Sequence, residues 1–292
     1  DTFINGFVGE IKEARDAEIR AVFERQSDKF VLVIGPCSAD NEDALCDYVG
    51  RLAALQAEVA ERLILIPRIY TNKPRTVGTG YKGMLHQPDP SKQPNITEGI
   101  KAIRRLHLRA MAESHLSAAD EMLYPNNLPY LEDLLSYVAV GARSVENQQH
   151  RLTISGMQVP AGMKNPTSGD IATMFNSIQA AQSAHVFIHN GWEVATDGNP
   201  LTHAILRGAV DHYGRCIPNY HFEDLLRVCR TYMERNLANP AVIVDTNHAN
   251  SDKQYDQQPR IGLEVANSRL HDALVAELVR GLMVESYIVE GC

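Results

Sequence analysis

Short apolar runs alternate with longer amphipathic stretches along most of this chain. The runs at 31–35, 63–69, 117–122, 137–142, 159–164, 203–207, 241–246 and 281–286 read as buried strands. Between them apolar residues return at helical spacing. Ile4, Phe7, Val8, Ile11, Ala14, Ile19, Val22 and Phe23 lie among charges and predict a helix over 4–25. The acidic start N-E-D-A-L at 41–45 opens a helix running to about 60. Further helices are expected near 97–114, 127–136, 145–156 (irregular), 169–182, 221–236 and 258–279. Strands alternating with helices predict a parallel sheet, and at this length a (β/α)₈ TIM barrel. A ninth apolar run, 185–190, is followed by Gly191-Trp192, then 193–196 and D-G-N-P, the pattern of a β-hairpin inserted near 185–199. Setting it aside leaves eight strands. The Gly-, Pro- and Lys-rich stretch 71–95 reads as a long active-site loop, because it follows a strand end. The chain therefore divides into an N-terminal helical extension, 1–28, and a catalytic barrel, 29–292. Only residues 287–292 follow the last strand, so the barrel is expected to be C-terminally incomplete, its last helix missing.

Composition narrows the class. With 292 residues, 44% apolar and 22% charged, the chain suits one enzyme-sized barrel. No apolar run approaches the roughly 18 residues of a membrane span, and D-T-F-I-N-G-F-V-G-E lacks the basic and apolar regions of a secretory signal. A formal net charge of −8 argues against a nucleic-acid or membrane-surface binder, so any anion site is a local basic pocket. Five cysteines without a C-x-x-C pair suit the reducing cytoplasm.

The chemistry sits where the apolar runs end. They deliver Cys37, Arg68, Arg143, Lys164, Arg207, His248 and Glu285, and K-P-R-T at 73–76 follows the second run. In a parallel barrel all strand C-termini share one face, so these side chains are expected to converge there. Several cations beside Cys, His and Glu point to a metal ion next to anionic, phosphorylated substrates. Each residue also has a plainer reading. Cys37 alone is a small buried residue, His248 a hydrogen-bonded loop residue, Glu285 a solvated carboxylate and K-P-R-T an exposed basic turn. Lys164, Arg143 and Arg207 are harder to explain so, because burying three cations is costly without anions. Pairing with Glu121 or Asp245 accounts for one of them at most. No G-x-G-x-x-G or P-loop is present.

The segments G-P-C-S, P-R-I-Y-T-N-K-P-R-T, K-G-M-L-H-Q-P-D-P, G-A-R-S-V-E-N-Q-Q-H-R, G-M-K-N-P-T-S-G-D, I-L-R-G, D-T-N-H-A-N-S and M-V-E-S, in this order from about 29 to 291, resemble type I DAHP synthase. This is the phospho-2-dehydro-3-deoxyheptonate aldolase family of the shikimate pathway. The resemblance implies condensation of phosphoenolpyruvate with erythrose 4-phosphate, with release of phosphate. It implies Cys37, His248 and Glu285 as ligands of a divalent metal ion, with a fourth ligand from a C-terminal I-T-D motif in the segment missing here. The mixed ligand softness suits manganese, iron, cobalt or zinc. By the same resemblance Arg68, Lys73, Arg143, Lys164 and Arg207 hold phosphoenolpyruvate. Lys73, Pro74, Arg75 and Thr76 grip erythrose 4-phosphate, with Val77 where the family commonly has a second Thr. Lys73 and Lys164 are the expected catalytic lysines, and Glu121 is a candidate partner for the attacking water or for Lys164.

Two alternatives stay open at this level. One is a KDO 8-phosphate synthase-like enzyme using arabinose 5-phosphate, against which K-P-R-T and the 71–95 loop weigh. The other is a non-catalytic regulatory barrel, against which intact Cys37, His248 and Glu285 weigh. Regulated members of the family commonly place an amino-acid effector near added segments at subunit contacts. A homo-oligomer (dimer or tetramer) is therefore expected, with 1–28 and 185–199 together at its interface and any aromatic amino-acid effector bound there.

Overall fold

The computed structural model describes residues 6–75 and 78–289. Helix α1 (Phe7–Phe23) leads into β1 (Phe30–Gly35), α2 (Glu42–Val59), β2 (Leu63–Pro67), α3 (Ile96–Ser114), β3 (Ala119–Glu121), β4 (Tyr137–Val140), α4 (Gln148–Ser155), β5 (Ala161–Lys164) and α5 (Ile171–Ala181). The hairpin β6 (His185–His189) and β7 (Trp192–Thr196) precedes β8 (Thr202–Leu206). After a second, two-residue hairpin, β9 (Ala209–Val210) and β10 (Cys216–Ile217), come α6 (Phe222–Glu234), β11 (Val242–Asp245), α7 (Gln258–His271), α8 (Ala273–Leu278) and β12 (Val279–Glu285).

Eight strands form one sheet in the order β2-β1-β12-β11-β8-β5-β4-β3, and every pair in it is parallel. Its edges meet at a parallel bridge between Arg68 and Ala119, where Ile69 N–H donates to the Ala119 carbonyl at 2.8 Å. The sheet is thus nearly closed into the expected barrel. The β6–β7 pair is antiparallel and stands outside it, as an insertion should. β4, β5, β8 and β11 are buried at every position, because helices cover one face and the barrel interior the other.

Helix starts follow the polar residues that precede the periodic runs. Asn41, Asn95, Asn147 and Asp170 each accept a backbone N–H of the first turn of α2, α3, α4 and α5. Three details differ from the sequence pattern. The expected helix at 127–136 is instead a 3₁₀ turn, Pro125–Tyr130, because Pro129 supplies no N–H inside it. The expected helix over 258–279 is two, broken at Asp272, whose extended backbone ends α7 and whose carboxylate caps α8. The β9–β10 hairpin has too few residues to give a period of its own.

Helix α1 closes the N-terminal end of the barrel. Ile19, Val22 and Phe23 are buried in one cluster with inward-facing Val31, Ile64, Ile205 and Ile243. Each such side chain contributes about 1.5–3 kcal/mol of burial. The Phe23 ring stacks on His203 at 4.4 Å, and His203 Nε2 lies 2.7 Å from the Tyr137 hydroxyl. Arg280 on β12 donates to the Val22 carbonyl at 3.1 Å, tying the end of α1 to the barrel wall. With this end filled, the opposite mouth is left for chemistry.

Candidate active site

Each strand-end side chain that the sequence singles out within the described residues lies at the C-terminal mouth. β1 and β12 run in register to Gly35 opposite Glu285, so Cys37 emerges two residues beyond that pair. Arg68 follows β2 and is fully buried, and one of its guanidinium nitrogens donates to Glu285 Oε1 at 3.1 Å. Glu285 is held on its other side by Asn247 Nδ2, 2.6 Å from Oε2. Gln258 clamps its backbone, donating to its carbonyl at 2.7 Å and accepting its N–H at 3.0 Å. Burial pushes the Glu285 carboxyl up, but Arg68 and His248 outweigh it and hold the group below the usual range.

On β5 and β11, Lys164 Nζ meets Asp245 Oδ2 at 3.0 Å, with both side chains buried. The same Oδ2 lies 2.9 Å from His248 Nδ1, and His248 Nε2 lies 3.8 Å from Glu285 Oε1. His248 reaches this position from a left-handed backbone, φ 52°, which costs a non-glycine residue about 1–2 kcal/mol. Asp245 therefore joins the lysine and the histidine. Burial alone would raise its carboxyl, but His248 and Lys164 hold it well below the usual range.

Arg207, one residue past β8, is buried. Burial holds its guanidinium below the ordinary arginine range, with Asp245 opposing and Arg143 reinforcing the shift, so Arg143 faces the same space. Among the described residues, Nε and Nη1 of both Arg207 and Arg68 have no hydrogen-bond partner. Four buried cationic N–H-bearing nitrogens without acceptors mark a place made for an anion.

Glu121 ends β3, opposite Ala139 on β4. A Cβ at Gly141 would lie 2.3 Å from Glu121 Oε1, so a glycine is needed there to leave room for the carboxylate. The preceding Asp120 accepts Thr71 N–H at 3.0 Å and Thr71 O–H at 2.5 Å, which fixes the start of the 71–95 loop. Burial pushes its carboxyl up to about 7, against the pull of those hydrogen bonds. Further along the loop Lys73 N–H donates to the Lys82 carbonyl at 3.0 Å, and Arg75 Nε to the Tyr81 carbonyl at 2.7 Å. Pro74 lies between them. Thr76 and Val77 lie outside the described residues.

Cys37 is the hub of the electrostatics. Burial raises its thiol and Glu285 adds to this, while Lys73 and Arg68 lower it and Glu121 raises it, so all four groups surround it. Its backbone N–H donates to the Tyr287 hydroxyl at 3.0 Å. Among the described residues, no group of three or more Cys, His, Asp or Glu side chains is placed to hold a metal ion. The donor types present, a thiol, an imidazole and a carboxylate, are those a divalent transition ion takes. The 3.8 Å between His248 Nε2 and Glu285 Oε1 suits two ligands sharing one ion through bonds of about 2.1 Å.

Sequence reasoning named Asp245 only as a possible ion-pair partner and missed Asn165, Asn219, Asn247, Asn250 and Gln258. Asn165, Asn250 and Gln258 are buried. The one signal is position: Asn165 directly follows Lys164 and Asn247 and Asn250 flank His248, while Asn219 has none.

A second cavity lies at the opposite end. It measures about 430 Å³ and is lined by Lys12, Asp16 and Arg20 of α1, by Met157 and Val159, and by Phe187, His189 and Val194 of the hairpin. The extension and the insertion therefore meet at one cavity within the chain. The hairpin's outer side leaves Val186, Ile188 and Trp192 exposed.

The chain is similar to known proteins along nearly its whole length. It is 37% identical over 289 residues to the Tyr-sensitive phospho-2-dehydro-3-deoxyheptonate aldolase of Salmonella typhimurium, covering 96% of this chain and 78% of that protein. It is 36% identical over 287 residues to the Phe-sensitive enzyme of Escherichia coli K12, covering 96% and 78%. The solved structure of the Francisella tularensis phospho-2-dehydro-3-deoxyheptonate aldolase superposes with a TM-score of 0.88 at 28% identity, covering 97% of this chain and 81% of that one. The model of the DAHP synthetase I family matches residues 11–292, and the chain belongs to that family.

Proposed function

We propose that this protein joins phosphoenolpyruvate to erythrose 4-phosphate, giving 3-deoxy-arabino-heptulosonate 7-phosphate and phosphate. This is the first step of aromatic amino-acid biosynthesis, and the reducing cytoplasm is its place. The observation that carries this reading is the set of unpartnered guanidinium nitrogens of Arg68 and Arg207 beside Lys164 in the barrel mouth. A small polyanion is what such a cluster binds.

In this reading Arg68, Lys73, Arg143, Lys164 and Arg207 hold the phosphate and carboxylate of phosphoenolpyruvate. Lys73, Pro74, Arg75 and Thr76 grip the phosphate of erythrose 4-phosphate. Carbon 3 of phosphoenolpyruvate attacks the aldehyde carbon, and the aldehyde oxygen takes up a proton. Water adds to carbon 2 and gives up one proton, which balances the one taken up by the aldehyde oxygen. The remaining hydroxyl then closes to the ketone as the carbon–oxygen bond to phosphate breaks, and its proton leaves with the phosphate. Glu121 accepts a proton from that water, and Lys164, held by Asp245, and Lys73 stabilise the anionic oxygens. Cys37, His248 and Glu285 would hold a divalent ion, which when bound supplies Lewis-acid polarisation of the aldehyde. Phosphate release measured with erythrose 4-phosphate and with arabinose 5-phosphate tests the assignment. Turnover with the four-carbon acceptor is expected, and preference for the five-carbon one would move the chain to the octulosonate branch.

The 430 Å³ cavity is the proposed seat of an aromatic amino-acid effector. Lys12 and Arg20 suit its carboxylate, Asp16 its ammonium group, and Phe187 and Val194 its ring. The exposed Val186, Ile188 and Trp192 are the proposed contact with a second copy in a homo-oligomer. Inhibition by phenylalanine or tyrosine is expected to be non-competitive with phosphoenolpyruvate and to weaken about 10-fold in Phe187→Ala, which removes the aromatic contact with the effector's ring. Inhibition competitive with phosphoenolpyruvate and unchanged in that variant would place the effector in the barrel mouth instead.

A further inference from the structure

We propose that Asn165, Asn219 and Asn250 act together as positioning residues that fix Lys164, Arg207 and Asp245 relative to one another. The proposal rests on the reading of Lys164 and Arg207 as donor-binding cations. Lys164 and Asp245 end β5 and β11 and Arg207 follows β8 by one residue; backbone pairing among these neighbouring strands stops at Lys164–Ile205 and Val244–Leu206. Beyond that point the spacing is set by side-chain amides.

Asn165 directly follows Lys164. Its Oδ1 accepts the Arg207 N–H at 2.9 Å and Asn219 Nδ2 at 3.2 Å. Its Nδ2 donates to the Pro166 and Gly208 carbonyls, both at 2.9 Å. Asn219 Oδ1 accepts the Gly208 N–H at 2.8 Å, and its own N–H donates to Asn250 Oδ1 at 2.9 Å. Asn250 Nδ2 donates to the Leu206 carbonyl at 3.2 Å and the Asp245 carbonyl at 2.7 Å. The backbones on both sides of Arg207 and at Asp245 are thereby stitched to the residue after Lys164. Gly208 completes the junction: its φ is 73°, and a Cβ there would lie 2.8 Å from the backbone of Ala249 and Asn250.

The residue type is dictated by the pattern. Each of the three carboxamides donates and accepts at once, so a carboxylate or an apolar side chain cannot replace it. An aspartate at 165 would set an acceptor against two carbonyl oxygens. Isolated loop asparagines satisfy their own turns; these three satisfy one another and the backbones of three separate strand ends. Without them the two cations are still present but no longer share a fixed separation, and a donor bearing two anionic groups requires that separation.

The test uses steady-state kinetics of the metal-loaded protein with each substrate varied, together with melting temperatures, for Asn219→Asp, Asn219→Ala, Asn165→Asp and the reference Arg207→Ala. Asn219 is only half-buried, so its variants keep the test open if Asn165→Asp does not fold. Asn219→Asp and Asn219→Ala are expected to raise KM for phosphoenolpyruvate on the order of 10-fold or to lower kcat by as much, with KM for erythrose 4-phosphate within about two-fold. An unchanged donor KM and kcat in both Asn219 variants, alongside a raised donor KM in Arg207→Ala, would overturn the positioning role and leave the donor site standing. Equal changes in both KM values that track the melting temperature would reduce the asparagines to fold stability. Donor kinetics unaffected in Arg207→Ala would overturn the donor reading and the positioning role with it.

Discussion

Lys164→Ala is expected to cripple the use of phosphoenolpyruvate while leaving KM for erythrose 4-phosphate nearly unchanged. Lys164 is buried, and its ammonium group is 3.0 Å from Asp245 Oδ2. Removing it deletes one cation of the donor site, a loss of about 2–5 kcal/mol for a desolvated charge-assisted contact. It also strands Asp245, which is fully buried and keeps only His248 as a charged partner at short range, with the Asn247 N–H on its other oxygen. Stranding one member of a buried pair costs about 3–5 kcal/mol of stability. The two effects separate in the double variant Lys164→Met/Asp245→Asn, in which no charge is stranded. Its melting temperature should recover much of the loss, and its turnover should not. Michaelis constants for both substrates, with thermal melts of the single and double variants, check this. A Lys164→Ala protein with wild-type kinetics would remove the lysine from the donor site.

The second large effect is expected at Cys37. Serine in its place is nearly isosteric and keeps the backbone N–H that donates to Tyr287, so the fold is expected to survive. The hydroxyl is a poor ligand for a borderline-soft ion where the thiolate is a good one. Losing the Lewis acid forfeits several kcal/mol of transition-state stabilisation, on the order of 10³-fold in rate. Cys37→Ser is therefore expected to be folded, metal-poor and nearly inactive. Metal content per chain and turnover, measured on the same sample, check it. Full activity with one ion per chain in Cys37→Ser would exclude the cysteine as a ligand.

Much of this site is legible in the sequence because barrel topology turns a linear pattern into a spatial one. Each apolar run has to end at the mouth, so the residue following it is placed without knowledge of any contact. That reasoning brings Cys37, Arg68, Lys164, Arg207, His248 and Glu285 to one face, where the structure has them. It fails where a residue's role depends on a partner distant in sequence. Asp245 reads only as a possible partner for one unspecified cation, yet it links Lys164 and His248, residues 81 and 3 positions away. Asn165, Asn219 and Asn250 look like ordinary loop asparagines until the strand ends are brought together. Asp120 reads as strand interior, and only the barrel's closing edge shows it gripping Thr71. The missed 3₁₀ turn at Pro125–Tyr130 has a local cause, since apolar spacing there mimics a helix that Pro129 does not support.

The most direct test of the central claim is the dependence of turnover on metal. The protein would be stripped with a chelator and titrated with manganese in the presence of phosphoenolpyruvate and erythrose 4-phosphate, with phosphate release as the readout. Activity at background in the stripped protein, returning linearly to a plateau near one ion per chain, is the predicted result. Undiminished phosphate release by protein shown to contain no metal would contradict the account of Cys37, His248 and Glu285 as one ion's ligands at the barrel mouth.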